Sequence, residues 1–158
     1  MSYSIRDYRP SDAALMPLIF QAAVSITARY HYSDRQVAAW LARAPGSDTF
    51  ARCYTDGRLA MVISDQADLA VGFADVERDG HIQYFYCHPD LSGTGVAGDL
   101  LNALEMAARR LKIARLYVEA SETALGFFKR NGFKVEKRRD FEVSGVPIHN
   151  YAMDKRLG

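Results

Sequence analysis

The stretch from Tyr84 to Leu101, YFYCHPDLSGTGVAGDLL, constrains this chain more than any other, because it joins an aromatic strand to a helix through a glycine-rich loop. Gly93, Gly95 and Gly98 have no side chains, so successive backbone N–H groups can converge on an anion. The positive end of the following helix also favours negative charge there. The loop therefore predicts a phosphate or pyrophosphate site. A plain strand-to-helix turn has a similar composition, and the loop alone leaves both interpretations open.

Length and charge limit the class of protein. The chain has 158 residues, which predicts one domain over 1–158. Its formal net charge of +1 gives no strongly charged surface for nucleic acid or an anionic membrane. The first residues lack the apolar core of a secretion signal, and no apolar run reaches membrane-spanning length, so we expect a cytoplasmic protein. Cys53 and Cys87 lack the spacing of a zinc or redox motif, and no metal is expected.

Strand periodicity begins at residue 59. The segments 59–63, 70–76 and 81–87 predict three consecutive antiparallel strands, the last two joined by an Asp79-Gly80 turn. In the third segment, Ile82 and Phe85 are three positions apart, which breaks the expected alternation. A β-bulge near Gln83-Tyr84 restores the alternation, splays the strand from its neighbour and frees backbone donors. A strand buried on both faces without a bulge is the alternative.

A short first strand over 5–9 and two helices precede these strands, and Ser47 or Asp48 is a candidate cap for one more short helix. The first helix is expected to begin near Met16 with Pro17 in its first turn, and to run to about residue 28. A capping box of Ser33 and Gln36 predicts the start of the second. The expected buried face of the first helix consists of Leu18, Ile19, Ala22, Ala23 and Ile26.

After the loop, a helix over about 96–111 and a strand over 115–119 complete a βαβ unit with parallel strands. Ser121 is expected to cap a further helix that ends near Arg130. A final hairpin is predicted from 133 to 155 around Ser144-Gly145. The sequence thus predicts an α/β fold.

These residues resemble the GNAT superfamily of N-acetyltransferases, which use acetyl-coenzyme A. The family signature Gln/Arg-x-x-Gly-x-Gly/Ala is similar to the segment 92–97, in which Gly95 and Ala97 match and Ser92 replaces the leading Gln or Arg. The segment 124–133, ALGFFKRNGF, looks like the family's fourth helix ending in Gly-Phe. The resemblance covers the whole chain, and the segments 32–40 and 150–155 look like a branch of acetyltransferases whose substrates are mostly unassigned.

The resemblance implies a GNAT fold, with a mixed, mostly antiparallel seven-stranded sheet whose parallel strands 4 and 5 splay apart between flanking helices. It also implies transfer of an acetyl group from acetyl-coenzyme A to a primary amine, by direct attack in a ternary complex. We expect a small-molecule amine, because no acidic run is present to hold a basic protein tail. Many relatives pair as dimers, so a homodimer is a further expectation.

The resemblance assigns residues to each part of the site. Acetyl-coenzyme A is expected to meet Phe85, Tyr86, Cys87, Gly93, Thr94, Gly95, Val96, Ala97, Gly98 and Phe128. The acceptor amine is expected to meet His31, Tyr32 and Trp40, although aromatic residues at a helix start also serve to clamp two helices together.

Catalysis needs a base for the amine and an acid for the departing thiol. The family's usual acid is a tyrosine at the position of Phe128, which has no proton to donate. The candidate substitutes are Tyr84, Tyr86 and Ser121, and a thiolate can also leave unaided because its reference pKa is near 8.5. The candidate bases are Glu119, Glu77, His31 and His81. His88 and His149 are expected to serve structure.

Two other functions fit parts of this pattern. Loss of the acid at Phe128 would suit a module that binds coenzyme A without catalysis. Gly93, Gly95 and Gly98 also satisfy a dinucleotide-binding fingerprint, with Glu119 about where a ribose-binding acid belongs. A Rossmann sheet has no room here, because antiparallel-type strands precede the loop and only a short helix and a hairpin follow Glu119.

Overall fold

The computed structural model describes residues 2–158. The helices are α1 (Met16–Ala22), α2 (Asp34–Leu41), α3 (Ser47–Cys53), α4 (Val96–Arg110) and α5 (Glu122–Arg130). The strands are β1 (Ser4–Asp7), β2 (Leu59–Ser64), β3 (Ala70–Val76), β4 (His81–Ile82), β5 (Phe85–Cys87), β6 (Arg115–Ala120), β7 (Lys134–Val143) and β8 (Val146–Arg156). The predicted order of helices and strands is confirmed.

The strands form two four-stranded sheets, in the orders β1-β2-β3-β5 and β4-β6-β8-β7. Among the described residues, only β4 and β6 pair in parallel, with His81 opposite Tyr117 and Ile82 opposite Val118. The other pairs are antiparallel. The mixed, mostly antiparallel arrangement and the splayed parallel pair are confirmed. A Rossmann domain needs a largely parallel sheet, so the dinucleotide interpretation is wrong.

The predicted strand 81–87 is broken at Gln83-Tyr84, which gives eight strands instead of seven and two sheets instead of one. The cause is Asp75 on β3. Its Oδ1 accepts hydrogen bonds from the backbone nitrogens of Gln83 at 2.8 Å and Tyr84 at 3.2 Å. The Tyr84 carbonyl still accepts from the Asp75 backbone nitrogen at 3.1 Å, but the N–H groups of Gln83 and Tyr84 donate to the carboxylate instead of a ladder carbonyl, and the regular strand is interrupted there. The predicted bulge is at this position.

Helix α1 begins at Met16 with Pro17 in its first turn, as predicted. The α-helical geometry ends at Ala22, and a π-turn (Ala23–Thr27) and a 3-10 turn (Ala28–Tyr30) follow. The predicted buried face is wrong at Leu18 and Ile26, which are 61% and 52% exposed. The inward-facing side chains of α1 pack against β3, and Leu18 lies between them on the outer side of the helix. Ile26 points outward because the π-turn is wider than an α-helical turn and changes the direction of its side chain. The residues that face the core are Met16, Ile19, Phe20 and Val24.

The core lies on both faces of the sheets. Alternation in β2 sends Ile63 towards α4 and α5, and Val62 towards α1 and α3. Leu100 and Leu104 fix α4 on the first face, while Phe50 fixes α3 on the other. The break in the strand therefore lies between two packed layers, and the glycine loop lies at the exposed start of α4. Within residues 2–158, no helix is both long enough and apolar enough to cross a bilayer.

Candidate active site

Two clefts meet where β5 leaves β4. The larger, about 520 Å³, lies between the loop 92–98, α5 and the π-turn, and we call it the loop cleft. The smaller, about 210 Å³, lies between the end of β6, the β7–β8 hairpin and α2, and we call it the strand cleft. They share a wall made of Trp40, Phe85, Tyr86, Ser121, Ala124 and Phe128. A group held at this wall is accessible from both sides.

The glycine loop is held in shape by its own hydrogen bonds. The Thr94 hydroxyl donates to the Leu91 carbonyl at 2.6 Å and accepts from the Val96 nitrogen at 3.3 Å. Gly93 and Gly95 have φ values of 78° and 80°, a backbone region that disfavours other residues. The side chains of Thr94 and Val96 do not line the loop cleft, because the first secures the loop and the second packs in the core.

Four backbone N–H groups of the loop are free. Those of Gly93, Gly95, Ala97 and Gly98 donate to no other atom within residues 2–158. These residues line the loop cleft, and a Cβ atom built on Gly93 or Gly95 would meet nothing within 4 Å. Free donors at the start of a long helix, facing open space, suit the phosphate groups of coenzyme A.

Two further donors lie on β5, which is at the edge of its sheet. The register places Tyr86 opposite Phe73, and the His88 nitrogen donates to the Val71 carbonyl at 2.9 Å. Hydrogen-bonded pairs alternate in an antiparallel ladder, so the N–H of Tyr86 is used by β3. The N–H groups of Phe85 and Cys87 therefore point away from β3, towards the gap between the sheets.

Phe128 is 2% exposed and lies in the wall between the clefts. Its ring centroid is 5.7 Å from that of Phe85, 5.2 Å from Phe127 and 5.0 Å from Phe133. Edge-to-face contacts of this kind hold the ring in one place. Phe128 supplies apolar surface at the shared wall and no proton.

The three candidate proton donors lie in different places. Tyr86 lines both clefts, and burial raises its pKa, an effect that the neighbouring Trp40 indole partly opposes. Ser121 also lines both clefts, and its Oγ caps α5 by accepting from the Ala124 nitrogen at 3.1 Å. Tyr84 lies on the same face as Tyr86, with the two rings 6.5 Å apart, but it lines neither cleft, because its ring packs 5.0 Å from Phe50. We therefore leave Tyr84 out of the site.

The predicted acceptor-binding residues divide in the same way. Tyr32 and Trp40 line the strand cleft, with their rings 5.6 Å apart. The Tyr32 hydroxyl accepts from the Glu122 nitrogen at 2.7 Å and donates to the His149 carbonyl at 3.0 Å. Tyr32 thus clamps α5 to β8 and also forms part of the cleft wall. His31 is exposed beside Thr123 and lines neither cleft.

Three of the candidate bases form one connected chain. His81 Nε2 lies 2.7 Å from Glu119 Oε1, and its Nδ1 lies 2.6 Å from Glu77 Oε1. Burial lowers the pKa of His81, but the hydrogen bonds to Glu77 and Glu119 outweigh burial and raise it. Of the three, only Glu119 lines the strand cleft. The parallel pairing of β4 with β6 brings His81 and Glu119 together.

Two acidic residues near the site were not among the candidates predicted from the sequence. Asp75 is fully buried, with Arg58 Nη1 at 3.3 Å from its Oδ2, and burial raises its pKa to about 6. The sequence does contain a sign of this role, because an acidic residue inside the apolar strand 70–76 is expected to be buried and a buried acid needs hydrogen-bond or charge partners.

Glu122 pairs with His149, with Oε2 2.9 Å from Nε2, and this pairing orients an imidazole that lines the strand cleft. His88 accepts from the Asp90 nitrogen and fixes the turn before the loop.

Cys53 and Cys87 form no disulfide bond within residues 2–158, and burial raises the pKa of Cys87 to about 12. In the part of the chain that the structure describes, no three His, Cys, Asp or Glu side chains group closely enough to hold a metal ion.

Comparison with known proteins agrees with this geometry. Residues 28–155 match the family model of the acetyltransferase (GNAT) domain. The chain is 33% identical over 150 residues to YafP of Escherichia coli (strain K12), an uncharacterized N-acetyltransferase, and the match covers 94% of this chain and 93% of YafP. The crystal structure of a GCN5-related N-acetyltransferase from Rhodopseudomonas palustris is similar at a TM-score of 0.88 and 32% identity, covering 99% of this chain and 96% of that one.

More distant structures share the fold. The PaiA N-acetyltransferase of Thermoplasma acidophilum, solved with coenzyme A, has a TM-score of 0.77 at 17% identity, with 99% of each chain covered. YncA of Salmonella typhimurium, solved with acetyl-coenzyme A, has a TM-score of 0.76 at 19% identity and covers 100% of this chain and 95% of that one. The family match, the relative at 33% identity and the shared fold agree, and the chain belongs to the GNAT family of acetyltransferases.

Proposed function

We propose that this protein transfers an acetyl group from acetyl-coenzyme A to a primary amine of a small molecule, by direct attack in a ternary complex. The observation that carries the proposal is the meeting of two clefts at β5, where the N–H groups of Phe85 and Cys87 are left open by the broken strand. One cleft is suited to the acetyl donor and the other to the amine.

The donor is assigned to the loop cleft. The free N–H groups of Gly93, Gly95, Ala97 and Gly98 hold its pyrophosphate, and Arg130 adds a cation to the same cleft. The N–H groups of Phe85 and Cys87 stabilise negative charge that develops on the thioester oxygen. Two structures with this fold, from Thermoplasma acidophilum and Salmonella typhimurium, contain coenzyme A or acetyl-coenzyme A, which supports the assignment.

The proton movements are assigned to residues of the wall and of the strand cleft. Glu119 accepts the proton of the incoming ammonium. His81 and Glu77 are hydrogen-bonded in line behind Glu119, so the change in its charge is spread over the three groups. Tyr86 and Ser121 are the hydroxyl groups at the shared wall that can protonate the departing thiolate. Direct attack is favoured over an acylated cysteine, because a thiol with a pKa of about 12 supplies almost no thiolate near neutral pH.

Calorimetric titration with acetyl-coenzyme A tests the donor site. We expect wild-type protein to bind with a dissociation constant in the micromolar range, as is common for enzyme substrates. Gly95→Asp places a negative side chain among the free donors and abolishes binding. Gly145→Asp is the matched control, because Gly145 has a similar φ of 78° and open space but lies in the β7–β8 turn. Equal affinity of wild type and Gly95→Asp would overturn the site.

Thiol release from acetyl-coenzyme A tests the transfer. The panel contains polyamines, amino acids, aminoglycosides, aryl amines and peptides, each at the same concentration. We expect a small amine to give the highest rate. Peptides that outperform every small amine would overturn the small-molecule assignment.

The alternative, a module that binds coenzyme A without catalysis, is favoured by one observation, the apolar Phe128 at the position of the family's acid. Tight binding of acetyl-coenzyme A with no transfer to any acceptor in the panel would establish it.

A further inference from the structure

We propose that the strand cleft selects an amine with an apolar, aromatic-sized body and no carboxylate of its own. This inference deepens the proposed function and rests on it, because it names the class of acceptor. It follows from the size of the cleft, the chemistry of its walls and the sign of its charge.

The cleft is small, and its lining is more apolar than polar. Its volume of about 210 Å³ is below the roughly 300–1,000 Å³ typical of drug-sized ligand sites. Tyr32, Trp40, Phe141, Val143 and Ile148 supply its apolar walls. A compact hydrocarbon or aromatic body gains from burial against them. An aminoglycoside exceeds this volume, and a polyamine would bring a second ammonium against the same walls at a high desolvation cost.

Glu119 is the only carboxylate that lines the cleft within residues 2–158, and its side chain is 33% exposed. A partly desolvated carboxylate attracts an ammonium group and repels another carboxylate. The histidine between Glu119 and Glu77 carries at most one positive charge against two negative ones, so the three groups together stay negative.

The lining contains no Lys or Arg among the described residues. Arg58 lies behind Gln83, with its Nη1 at 2.6 Å from the Gln83 Oε1, but its charge is balanced by Asp56 and Asp75. Arg138 lies outside the lining and pairs with Asp140 at 3.1 Å. Arg139 also lies outside the lining and is exposed, with its Nη1 3.1 Å from the Asn150 Oδ1 and its guanidinium 5.6 Å from the centre of the Phe141 ring. An acceptor carboxylate that is buried against the lining would therefore lose its hydration without finding a counter-ion there.

His149 does not change this balance. Its Nε2 faces Glu122 Oε2 at 2.9 Å, and the pair is neutral when His149 is protonated and negative when it is not. Neither state supplies net positive charge to the cleft. The site thus discriminates against amino acids and favours the same molecules without the carboxylate.

The test is a titration of the protein saturated with coenzyme A, with 2-phenylethylamine and phenylalanine as a pair that differs only by the carboxylate. We expect 2-phenylethylamine to bind at least about tenfold more tightly, equivalent to about 1.4 kcal/mol. Spermidine is expected to bind more weakly than 2-phenylethylamine. Equal or tighter binding of phenylalanine, or no binding of either compound, would overturn the inference.

Glu119→Gln keeps the shape of the side chain and removes its charge. It should weaken 2-phenylethylamine about tenfold and reduce the discrimination against phenylalanine. Glu136→Gln is the control, since Glu136 pairs with Arg115 and lines neither cleft. An unchanged affinity in Glu119→Gln would contradict the role of the carboxylate. Binding of 2-phenylethylamine with no acetyl transfer to it or to any acceptor of the panel would leave this inference standing and remove the proposed function.

Discussion

Asp75 Oδ1 lies 2.8 Å from the backbone nitrogen of Gln83, and this contact interrupts the strand on which the candidate active site is built. The same oxygen accepts from the Tyr84 nitrogen at 3.2 Å. Beyond this point β5 stays with β3 while β4 stays with β6, so the two sheets part. The gap between them places the backbone N–H of Phe85 next to both clefts.

Asp75→Ala should lower the free energy of unfolding by about 3–5 kcal/mol. The change removes the acceptor of two backbone N–H groups and leaves Arg58, whose side chain is 6% exposed, without a buried partner. Urea unfolding measures the loss. Affinity for acetyl-coenzyme A should fall as well, because the strand break no longer has a fixed geometry.

Asp56→Ala is the control for Asp75→Ala. Asp56 pairs with the same guanidinium at 2.9 Å, but its side chain is 48% exposed. Exposed pairs are worth about 0–1 kcal/mol, so this variant should lose much less stability. Similar losses in both variants would show that burial of Asp75 is not the decisive factor.

The protonation of His81 should make stability depend on pH. Its carboxylate partners raise the pKa of His81 above the ordinary value of 6.5. The folded protein then holds a proton at pH values where the unfolded chain has released it. The stabilisation is complete below pH 6.5 and is lost as pH rises through the folded pKa.

His81→Gln removes this titration. Unfolding free energies between about pH 6 and about pH 9 should fall more steeply for wild type than for His81→Gln. Parallel curves for the two proteins would argue against protonation of His81 between Glu77 and Glu119.

Phe128→Tyr tests whether a missing acid limits transfer. The ring lies in the wall shared by both clefts, so an added hydroxyl is placed beside the proposed thioester. If protonation of the thiolate limits the reaction, we expect turnover to rise by about a hundredfold or more, since that is the usual contribution of a positioned general acid. Thermal melts accompany the kinetics, because a buried hydroxyl without a partner costs about 1–3 kcal/mol. Unchanged turnover in a fully folded variant would indicate that the thiolate leaves unaided.

Tyr32→Phe separates the two functions of Tyr32. The variant keeps the ring in the strand cleft and removes the hydroxyl that joins the Glu122 nitrogen to the His149 carbonyl. We expect a loss of about 1–3 kcal/mol in unfolding free energy with little change in the KM for the amine. Tyr30→Phe is the control, because Tyr30 is 82% exposed and its hydroxyl should contribute little. A large rise in KM at unchanged stability would instead make the hydroxyl a substrate contact.

Much of the fold could be read from local patterns. Pro17 correctly predicted the start of α1, and the capping box of Ser33 and Gln36 correctly predicted the start of α2. Ser144-Gly145 correctly predicted the turn of the last hairpin. The gap between Ile82 and Phe85 located the strand break. Such signals act over a few residues, so a single sequence contains them in full.

Contacts between distant strands were decided by the tertiary structure. The sequence named Glu119, His81 and Glu77 only as separate candidates. The turn at Asp79-Gly80 brings Glu77 to His81, but the parallel register of β4 and β6 was needed to bring Glu119 to them. The sequence could not show that Asp75 causes the break, nor that Tyr86 lines both clefts while Tyr84, on the same face, lines neither. Strand register and the choice of face depend on how elements far apart in the chain pack together, and local periodicity does not encode that choice.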